Sequence, residues 1–240
     1  MAATIGICRV CGKTKTLSFE HVPPRAAFNG HPRFYPDIRE LIAFRAGQGQ
    51  PPSWTHEPRG AGAYTLCVDC NTRRCARYAR EFVDWAIALQ RALDSAPSAS
   101  IIRTGVRIRR SRVMKQIIAM MLSASSPELG RLNEGLRRYV LNAQAIGLPE
   151  GINVFAALTR DKDARQAGGA GVIKNGRVSV ISEVALAPLI LVITLGGTEP
   201  PDGRLVNITA FASVGYDDRG TIELPLPVLD LHAHYPGAYR

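Results

Sequence analysis

The chain has 240 residues, 46% of them hydrophobic, and a formal net charge of +10. It is long enough to bury a sizeable core, as one large domain or two small ones. It has no run of about 18 apolar residues, and no charged start followed by an apolar core at its N-terminus. We therefore expect a cytoplasmic protein with no membrane partner.

The N-terminal segment predicts a cysteine knuckle that leads into a strand. Within residues 4–20, Leu17 and the apolar residues near it alternate with polar neighbours, as in a half-buried strand. The strand ends at Glu20 and His21, whose side chains would point to opposite faces if the backbone is extended. Pro23 follows closely and favours an extended exit. One of the two side chains could bind an ion while the other faces a nucleophilic water.

Residues 23–58 are rich in Pro, Gly and Arg and predict an irregular insertion, with one short helix candidate at 37–44. The run 28–35 interleaves aromatic and basic residues. This composition is typical of surfaces that stack nucleobases and hold phosphates. A loop held on the core by its aromatic side chains would have the same composition.

Two Cys-x-x-Cys pairs, Cys8 with Cys11 and Cys67 with Cys70, predict one tetrahedral zinc site. Four thiolates leave no open position for water, so this zinc would be structural. Redox-active or merely buried thiols are the alternative. Cys75 is the fifth cysteine, and we expect it to be a packed core thiol. Cysteines in pairs with metal-site spacing indicate a protein of a reducing compartment more than they indicate a disulfide scaffold.

The second cysteine pair leads directly into the clearest helix, predicted over residues 71–93. Asn71 would begin this helix, where its amide oxygen could bind a hard cation such as Mg²⁺. Arg73, Arg77 and Arg80 lie at spacings of three and four, which places them on one face. They could hold a phosphate backbone, although ordinary surface arginines would look the same.

The order Cys-x-x-Cys, an acidic residue and His with Pro close behind, then Leu-Cys-x-x-Cys-Asn, resembles the HNH or ββα-metal endonucleases over residues 1–80. The most similar branch is typified by phage recombination endonuclease VII. The resemblance implies a treble-clef module in which Glu20 and Asn71 bind a catalytic Mg²⁺ or Mn²⁺. It also implies that His21 is the general base and that the four paired cysteines hold structural zinc. Homodimers are common in that family.

The sequence departs from the family pattern at three points. Glu20 replaces the usual Asp, and the loop between the motif halves is long, with His31 and His56 as further candidate ligands or phosphate contacts. The central Asn of the HNH name is not visible in residues 61–65. The orientation of the His21 ring would then depend on another group, such as a backbone carbonyl. A catalytically inactive, zinc-stabilised nucleic-acid-binding protein is therefore the alternative.

Residues 94–100 are rich in Ser, Ala and Pro and predict a domain boundary. An alternating strand follows at 101–108, then a helix at 111–122 and a further helix that starts at 126. A second basic cluster surrounds the strand and includes Arg107, Arg109 and Arg110. These arginines could contact phosphates, or they could protect an exposed strand edge against aggregation.

From residue 151 the hydrophobic period changes to two, which predicts an antiparallel sheet of about five or six strands. The predicted strands are 152–158, 171–173, 177–181, 188–195, 205–212 and 221–224, with Asn175-Gly176 as a hairpin turn. We find no catalytic constellation in this sheet. It could instead recognise a protein partner or a small ligand.

These elements predict an α+β fold with a nuclease module at residues 1–94 and a helical plus antiparallel-sheet domain at residues 95–240. Residues 1–120 carry 19 Lys and Arg against 8 Asp and Glu, whereas residues 121–240 carry 11 against 12. The basic half contains the motif, which favours a nucleic-acid partner, with DNA expected first. The predicted function is a metal-dependent endonuclease that hydrolyses phosphodiester bonds.

Overall fold

The computed structural model describes residues 3–36, 40, 43–44, 46–127, 133–174, 177–232 and 236–240. The described part is a mixed α/β structure with antiparallel sheets and three α-helices. Of the predicted helix at 37–44, only residues 40 and 43–44 are described, and these are helical. Residues 128–132 of the helix predicted to start at 126 lie outside the described residues.

The N-terminal sheet has three antiparallel strands in the order β1 (Ile5–Ile7), β2 (Thr14–His21) and β5 (Gly62–Cys67). The chain leaves this sheet after β2 and forms a separate hairpin of β3 (Arg33–Pro36) and β4 (Trp54–Glu57) before it returns. The insertion predicted as irregular therefore contains a paired hairpin. Both ends of the insertion meet beside the end of β2.

The predicted helix after the second cysteine pair is present, and its first turn is unusual. Cys70–Cys75 form a π-helical turn, which continues as α1 (Ala76–Ser95). The buried side of α1 carries large apolar residues at helical spacing, namely Tyr78, Phe82, Trp85, Leu89 and Leu93. Burying each such side chain stabilises the fold by about 1.5–3 kcal/mol.

Two further helices pack behind α1. They are α2 (Arg110–Ala124) and α3 (Glu134–Leu141). Side chains on every side of α2 are buried between Val113 and Ser123, as expected for a helix enclosed by neighbouring elements.

The C-terminal sheet has five antiparallel strands in the order β11-β7-β10-β9-β8. Their bounds are β7 Asn153–Leu158, β8 Arg165–Lys174, β9 Arg177–Leu186, β10 Leu189–Leu195 and β11 Val206–Asn207. Lys174 pairs with Arg177, which fits a two-residue hairpin turn, although Asn175 and Gly176 lie outside the described residues.

β8 and β9 are longer than the predicted strands 171–173 and 177–181, and two other predicted strands differ in conformation or in pairing. In the stretch 205–212, only Val206–Asn207 is a strand. Thr209–Ser213 form a 3₁₀ helix because the Asn207 carboxamide oxygen accepts a hydrogen bond from the Thr209 amide at 2.8 Å and turns the chain. The last strand, β12 (Gly220–Pro227), pairs with β6 (Ile101–Ile108) along its full length and does not join the five-stranded sheet.

One cluster of buried apolar side chains runs from the cysteine knuckle through the helices to β12. Polar contacts follow the same path. Arg137 Nε donates to the Val10 carbonyl at 2.9 Å, and the hydroxyls of Thr65 and Ser123 lie 2.5 Å apart. Residues before and after the predicted boundary at 94–100 thus share core contacts, and the division into two domains stays a prediction. No described helix is both long and apolar enough to cross a membrane.

Candidate functional site

The four paired cysteines form one cluster, as the sequence predicts. Their sulfur atoms all lie within 4.8 Å of one another, and the sulfurs of Cys11 and Cys67 are 3.9 Å apart. Four thiolates around a tetrahedral zinc at about 2.3 Å would have sulfurs separated by about 3.8 Å. The cluster therefore fits a metal ion such as zinc. Cys75 is buried and does not belong to the cluster, so it is the packed thiol that we expect.

The backbone around the first pair holds the sulfurs in place. The Gly12 amide donates to the Cys8 carbonyl at 2.7 Å, and Gly12 has a φ of +69°, a value that glycine adopts readily. A hydrogen bond from Cys70 lowers the pKa of the Cys8 thiol to about 4, and the same bond raises the pKa of Cys70. Zinc requires thiolates, and the arrangement already stabilises one of them.

A cavity of about 170 Å³ lies at the end of β2 and contains all three predicted catalytic residues in its wall. Glu20, His21 and Asn71 line it together, although Asn71 is 50 residues away from His21 in the sequence. Such a cavity has room for several water molecules, each of which takes about 30 Å³ in the liquid. The structure thus brings the predicted residues to one place.

A β-bulge precedes this corner of the cavity. The pairing of β2 with β5 shifts register between Ser18 and Phe19, directly before Glu20 and His21. Bulges redirect side chains and are frequent beside active sites. Glu20 and His21 follow this irregularity at the end of the strand, and both line the cavity.

His21 is oriented by a backbone carbonyl. Its Nε2 lies 3.0 Å from the carbonyl oxygen of Arg59. The Arg59 guanidinium stacks on the Phe19 ring at 3.7 Å and pairs with Glu57 at 2.7 Å, which fixes this stretch of backbone. Burial lowers the pKa of His21, and the positive charges of Arg25 and Arg59 lower it further. The neutral imidazole is therefore favoured.

The loop that carries this carbonyl is fastened by Asn29, which is fully buried. Its amide nitrogen donates to the carbonyls of Pro23 and Ala61, each at 2.7 Å, and its amide oxygen accepts from the Ala61 amide at 2.7 Å. The chain segments before and after the inserted hairpin are thereby held together next to His21.

Two glycines let these segments approach closely. Gly60 has a φ of +103°, and a Cβ added there would overlap the Asn29 carbonyl oxygen. A Cβ added to Gly62 would overlap the Glu20 carbonyl oxygen and lie 2.9 Å from the Phe19 ring. The backbone opposite Glu20 therefore has no room for a side chain.

Glu20 is 9% exposed, and burial raises the pKa of its carboxyl to about 8. Among the described residues its carboxyl group has no hydrogen-bond or ion-pair partner. A buried carboxylate without a counter-charge is costly. The neutral, protonated acid is therefore favoured near pH 7 in the absence of a nearby cation.

Asn71 is fixed by strand β2. Its Nδ2 donates to the Phe19 carbonyl at 2.9 Å and to the Ser18 hydroxyl at 3.1 Å. A carbonyl only accepts, so this contact identifies the nitrogen and leaves Oδ1 for another ligand. Asn71 lies within the π-helical turn, a feature often found at functional sites.

The six predicted phosphate-binding arginines do not form a single set. Arg80 and Arg107 are exposed and have no hydrogen-bond or ion-pair partner in the part of the chain that the structure describes. Arg73, also exposed, forms an ion pair with Asp69. The remaining three have structural partners: Arg77 donates to the Leu141 carbonyl, Arg109 pairs with Glu81 at 2.6 Å, and Arg110 lies 3.7 Å from Asp218.

The inserted hairpin presents aromatic rings to solvent. Phe34 is 63% exposed, and its ring stacks on that of His56 with the centroids 4.7 Å apart. Trp54 on the same hairpin is 55% exposed. Phe34 is therefore not packed on the core. His31 is exposed and does not line the cavity, nor does His56.

The sequence interpretation did not identify Arg25 and Gln116, which also line the cavity. Arg25 follows the Pro-Pro step after His21, so closeness in sequence was a usable signal. Gln116 lies in α2 among buried apolar residues, where a polar side chain is unusual. Nothing in the sequence, however, indicates that α2 would pack beside β5 and the π-helical turn that carries Asn71.

Comparison of the chain with protein-family models, with curated proteins and with solved structures found no significant match. The functional interpretation depends on the chemistry of the cavity and of the cysteine cluster.

Proposed function

We propose that the protein is a metal-dependent endonuclease with a treble-clef ββα-metal site. The observation that carries the proposal is the single cavity lined by Glu20, His21 and Asn71 beside a cluster of four cysteines. A base that can take a proton from water, and a carboxylate and an amide oxygen that can hold a cation, together suit the hydrolysis of a phosphodiester.

His21 is the proposed general base. Because Nε2 faces the carbonyl oxygen of Arg59, this nitrogen carries the proton and Nδ1 has the free lone pair. The lowered pKa keeps the ring neutral near pH 7. Nδ1 can then take a proton from water as the water oxygen attacks phosphorus.

Glu20 and Asn71 are the proposed ligands of Mg²⁺ or Mn²⁺. Both offer hard oxygen donors, which these ions prefer, and the Glu20 carboxyl has no competing cationic partner among the described residues. When bound, the cation would stabilise negative charge on the phosphate and on the leaving oxygen. The chain itself contributes fixed donors, because Asn71 is hydrogen-bonded to β2 through its amide nitrogen.

Zinc in the cysteine cluster would have a structural role. Cys70 directly precedes Asn71, and Cys67 pairs with Leu17 of β2. A zinc ion bound there would fix the helix start against the strand that carries Glu20 and His21. This arrangement supports the proposed treble-clef module.

The basic surface supports a nucleic-acid substrate, with DNA expected first. Arg25 lines the cavity itself, while Arg80 and Arg107 are exposed. Contacts between such side chains and phosphates release counterions and give affinity that falls steeply with salt.

The alternative is a catalytically inactive nucleic-acid-binding protein. The argument for this alternative is that the sequence lacks the central Asn of the family pattern. The Arg59 carbonyl contacts His21 and can orient its ring in place of the missing central Asn. This contact favours the enzyme over the inactive scaffold.

The test is cleavage of supercoiled plasmid by the zinc-loaded protein with Mg²⁺ or Mn²⁺. We expect His21→Ala to lower the rate by about 10²–10⁴-fold, the usual contribution of a positioned general base. Glu20→Gln should also lose metal-dependent cleavage, because the cation loses its charged ligand. His31→Ala is the matched control, because His31 is exposed and outside the cavity. If wild type binds DNA but does not cut plasmid, branched DNA or RNA, the inactive binding protein is the better description.

A further inference from the structure

Gln116 is a buried polar residue whose hydrogen bonds are incomplete. Its side chain lies in the wall of the Glu20 cavity, and the residue is only 2% exposed. The Oε1 atom is shielded from solvent and has no hydrogen-bond partner among the described residues. A buried polar atom without a partner destabilises a fold, so such an atom calls for an explanation.

The neighbouring residue shows what a satisfied polar group on this helix looks like. Lys115 is fully buried, and its Nζ donates to the carbonyls of Tyr139, Asn142 and Ala145 at 2.7–3.0 Å. Lys115 thereby stabilises the end of α3. Gln116 has no comparable structural contact among the described residues, and instead lies next to the proposed catalytic groups.

We infer that Gln116 is a positioning residue of the divalent-cation site. Its carboxamide would hydrogen-bond to the hydration shell of the cation. It would do so from the side of the cavity that α2 forms. The inference rests on the proposed function, because it takes Glu20 and Asn71 as the cation ligands. Groups that contact the hydration shell or the ligands of a metal commonly change its affinity by 10–100-fold.

The position of Gln116 gives the inference a structural consequence. The resemblance to nucleases covers residues 1–80, whereas Gln116 belongs to α2, in the part of the chain that the resemblance does not reach. The later part of the chain would then complete the site, rather than only select its target.

The test measures Mn²⁺ affinity of the zinc-loaded, full-length protein by electron paramagnetic resonance, without substrate. Gln116→Met keeps the size of the side chain and removes its polar atoms. We expect it to weaken Mn²⁺ binding by about 10–100-fold, while the Tm measured without Mn²⁺ stays the same or rises. Gln116→Glu should bind Mn²⁺ more tightly than wild type, because it places a charged oxygen at the same position. Gln90→Met, the same change on α1 outside the cavity, should bind Mn²⁺ like wild type.

The outcomes separate this inference from the proposed function. If Glu20→Gln loses Mn²⁺ binding but Gln116→Met does not, the role of Gln116 is wrong and the nuclease proposal stands. If Gln116→Met lowers the Tm without Mn²⁺, Gln116 is structural and the inference is also wrong. A wild-type protein without Mn²⁺ affinity would overturn both proposals. If Gln116→Met does not fold, Gln116→Glu decides, because unchanged affinity there contradicts the inference and tighter binding supports it.

Discussion

Replacing Asn29 with Ala should both destabilise the protein and reduce cleavage. The side chain is fully buried and makes hydrogen bonds to the backbone of Pro23 and of Ala61. Alanine leaves two carbonyls and one amide without these partners. The stretch from Arg59 to Ala61 would then no longer be held beside His21, and the carbonyl that orients the imidazole would move.

The expected size of the effect follows from these contacts. Three hydrogen bonds at about 1 kcal/mol each predict a loss of about 3 kcal/mol in the free energy of unfolding. For a chain of 150–250 residues, 1 kcal/mol corresponds to about 2–4 °C in Tm, so the Tm should fall by about 6–12 °C. Misalignment of the base adds a decrease in cleavage rate on the order of 100-fold, even at temperatures where the variant is folded.

Urea unfolding of the zinc-loaded protein measures the first effect, and plasmid cleavage well below the Tm measures the second. Asn142→Ala is the matched control, because Asn142 is exposed and its side chain makes one local hydrogen bond, to the Gln144 amide. Its free energy of unfolding should change by less than about 1 kcal/mol. Neutral surface substitutions change the free energy of unfolding by less than about 0.5 kcal/mol. If Asn29→Ala lowers the free energy of unfolding by less than this amount, the reasoning is refuted.

Three further predictions test the metal site, the carboxyl and the aromatic hairpin. Cys11→Ser should lower bound zinc and reduce the Tm by about 10 °C or more, whereas Cys75→Ser should retain zinc, as metal analysis and thermal unfolding would show. Burial raises the Glu20 pKa from 4.5 to about 8, so the folded state binds more protons between these pH values. Without divalent cations, stability should therefore fall by roughly 4 kcal/mol from pH 4.5 to pH 8, and Glu20→Gln should lack this decline in urea unfolding. Phe34→Ala should weaken binding of a single-stranded oligonucleotide by about 5–150-fold if the ring stacks on a base, and an equal loss in Ile146→Ala would contradict a specific role for the ring.

The sequence alone identified the residues that carry charge, sulfur or an imidazole at motif spacing. The cluster of Cys8, Cys11, Cys67 and Cys70 could be predicted because two short gaps each aim two sulfurs at one point. Residue chemistry and order similarly marked the three proposed catalytic groups, which line one cavity.

The supporting contacts could not be read from the sequence. Arg59 supports His21 through a backbone carbonyl, which every residue type possesses. Asn29 reaches across the inserted hairpin, and no periodic pattern marks such a long-range contact between a side chain and the backbone. Gln116 lines the cavity only because α2 packs beside β5 and the π-helical turn, a result of tertiary packing.

Strand pairing was uncertain for a related reason. The alternation in β12 correctly indicates an extended segment, but alternation does not identify the partner strand. The structure pairs β12 with β6, more than 100 residues earlier. Strands that each have one buried and one exposed face can form equally good backbone hydrogen bonds with several different partner strands. Only the packing of the core selects one pairing.

The tight backbone at Gly60 and Gly62 affects how mutational scans of this protein should be interpreted. Any side chain at either position would meet a carbonyl oxygen of Asn29 or Glu20. A saturation library selected for activity should therefore retain glycine there, with the same stringency that it applies to His21. A scan that ranks positions by intolerance would place these glycines among the catalytic residues, although neither contributes a reactive group.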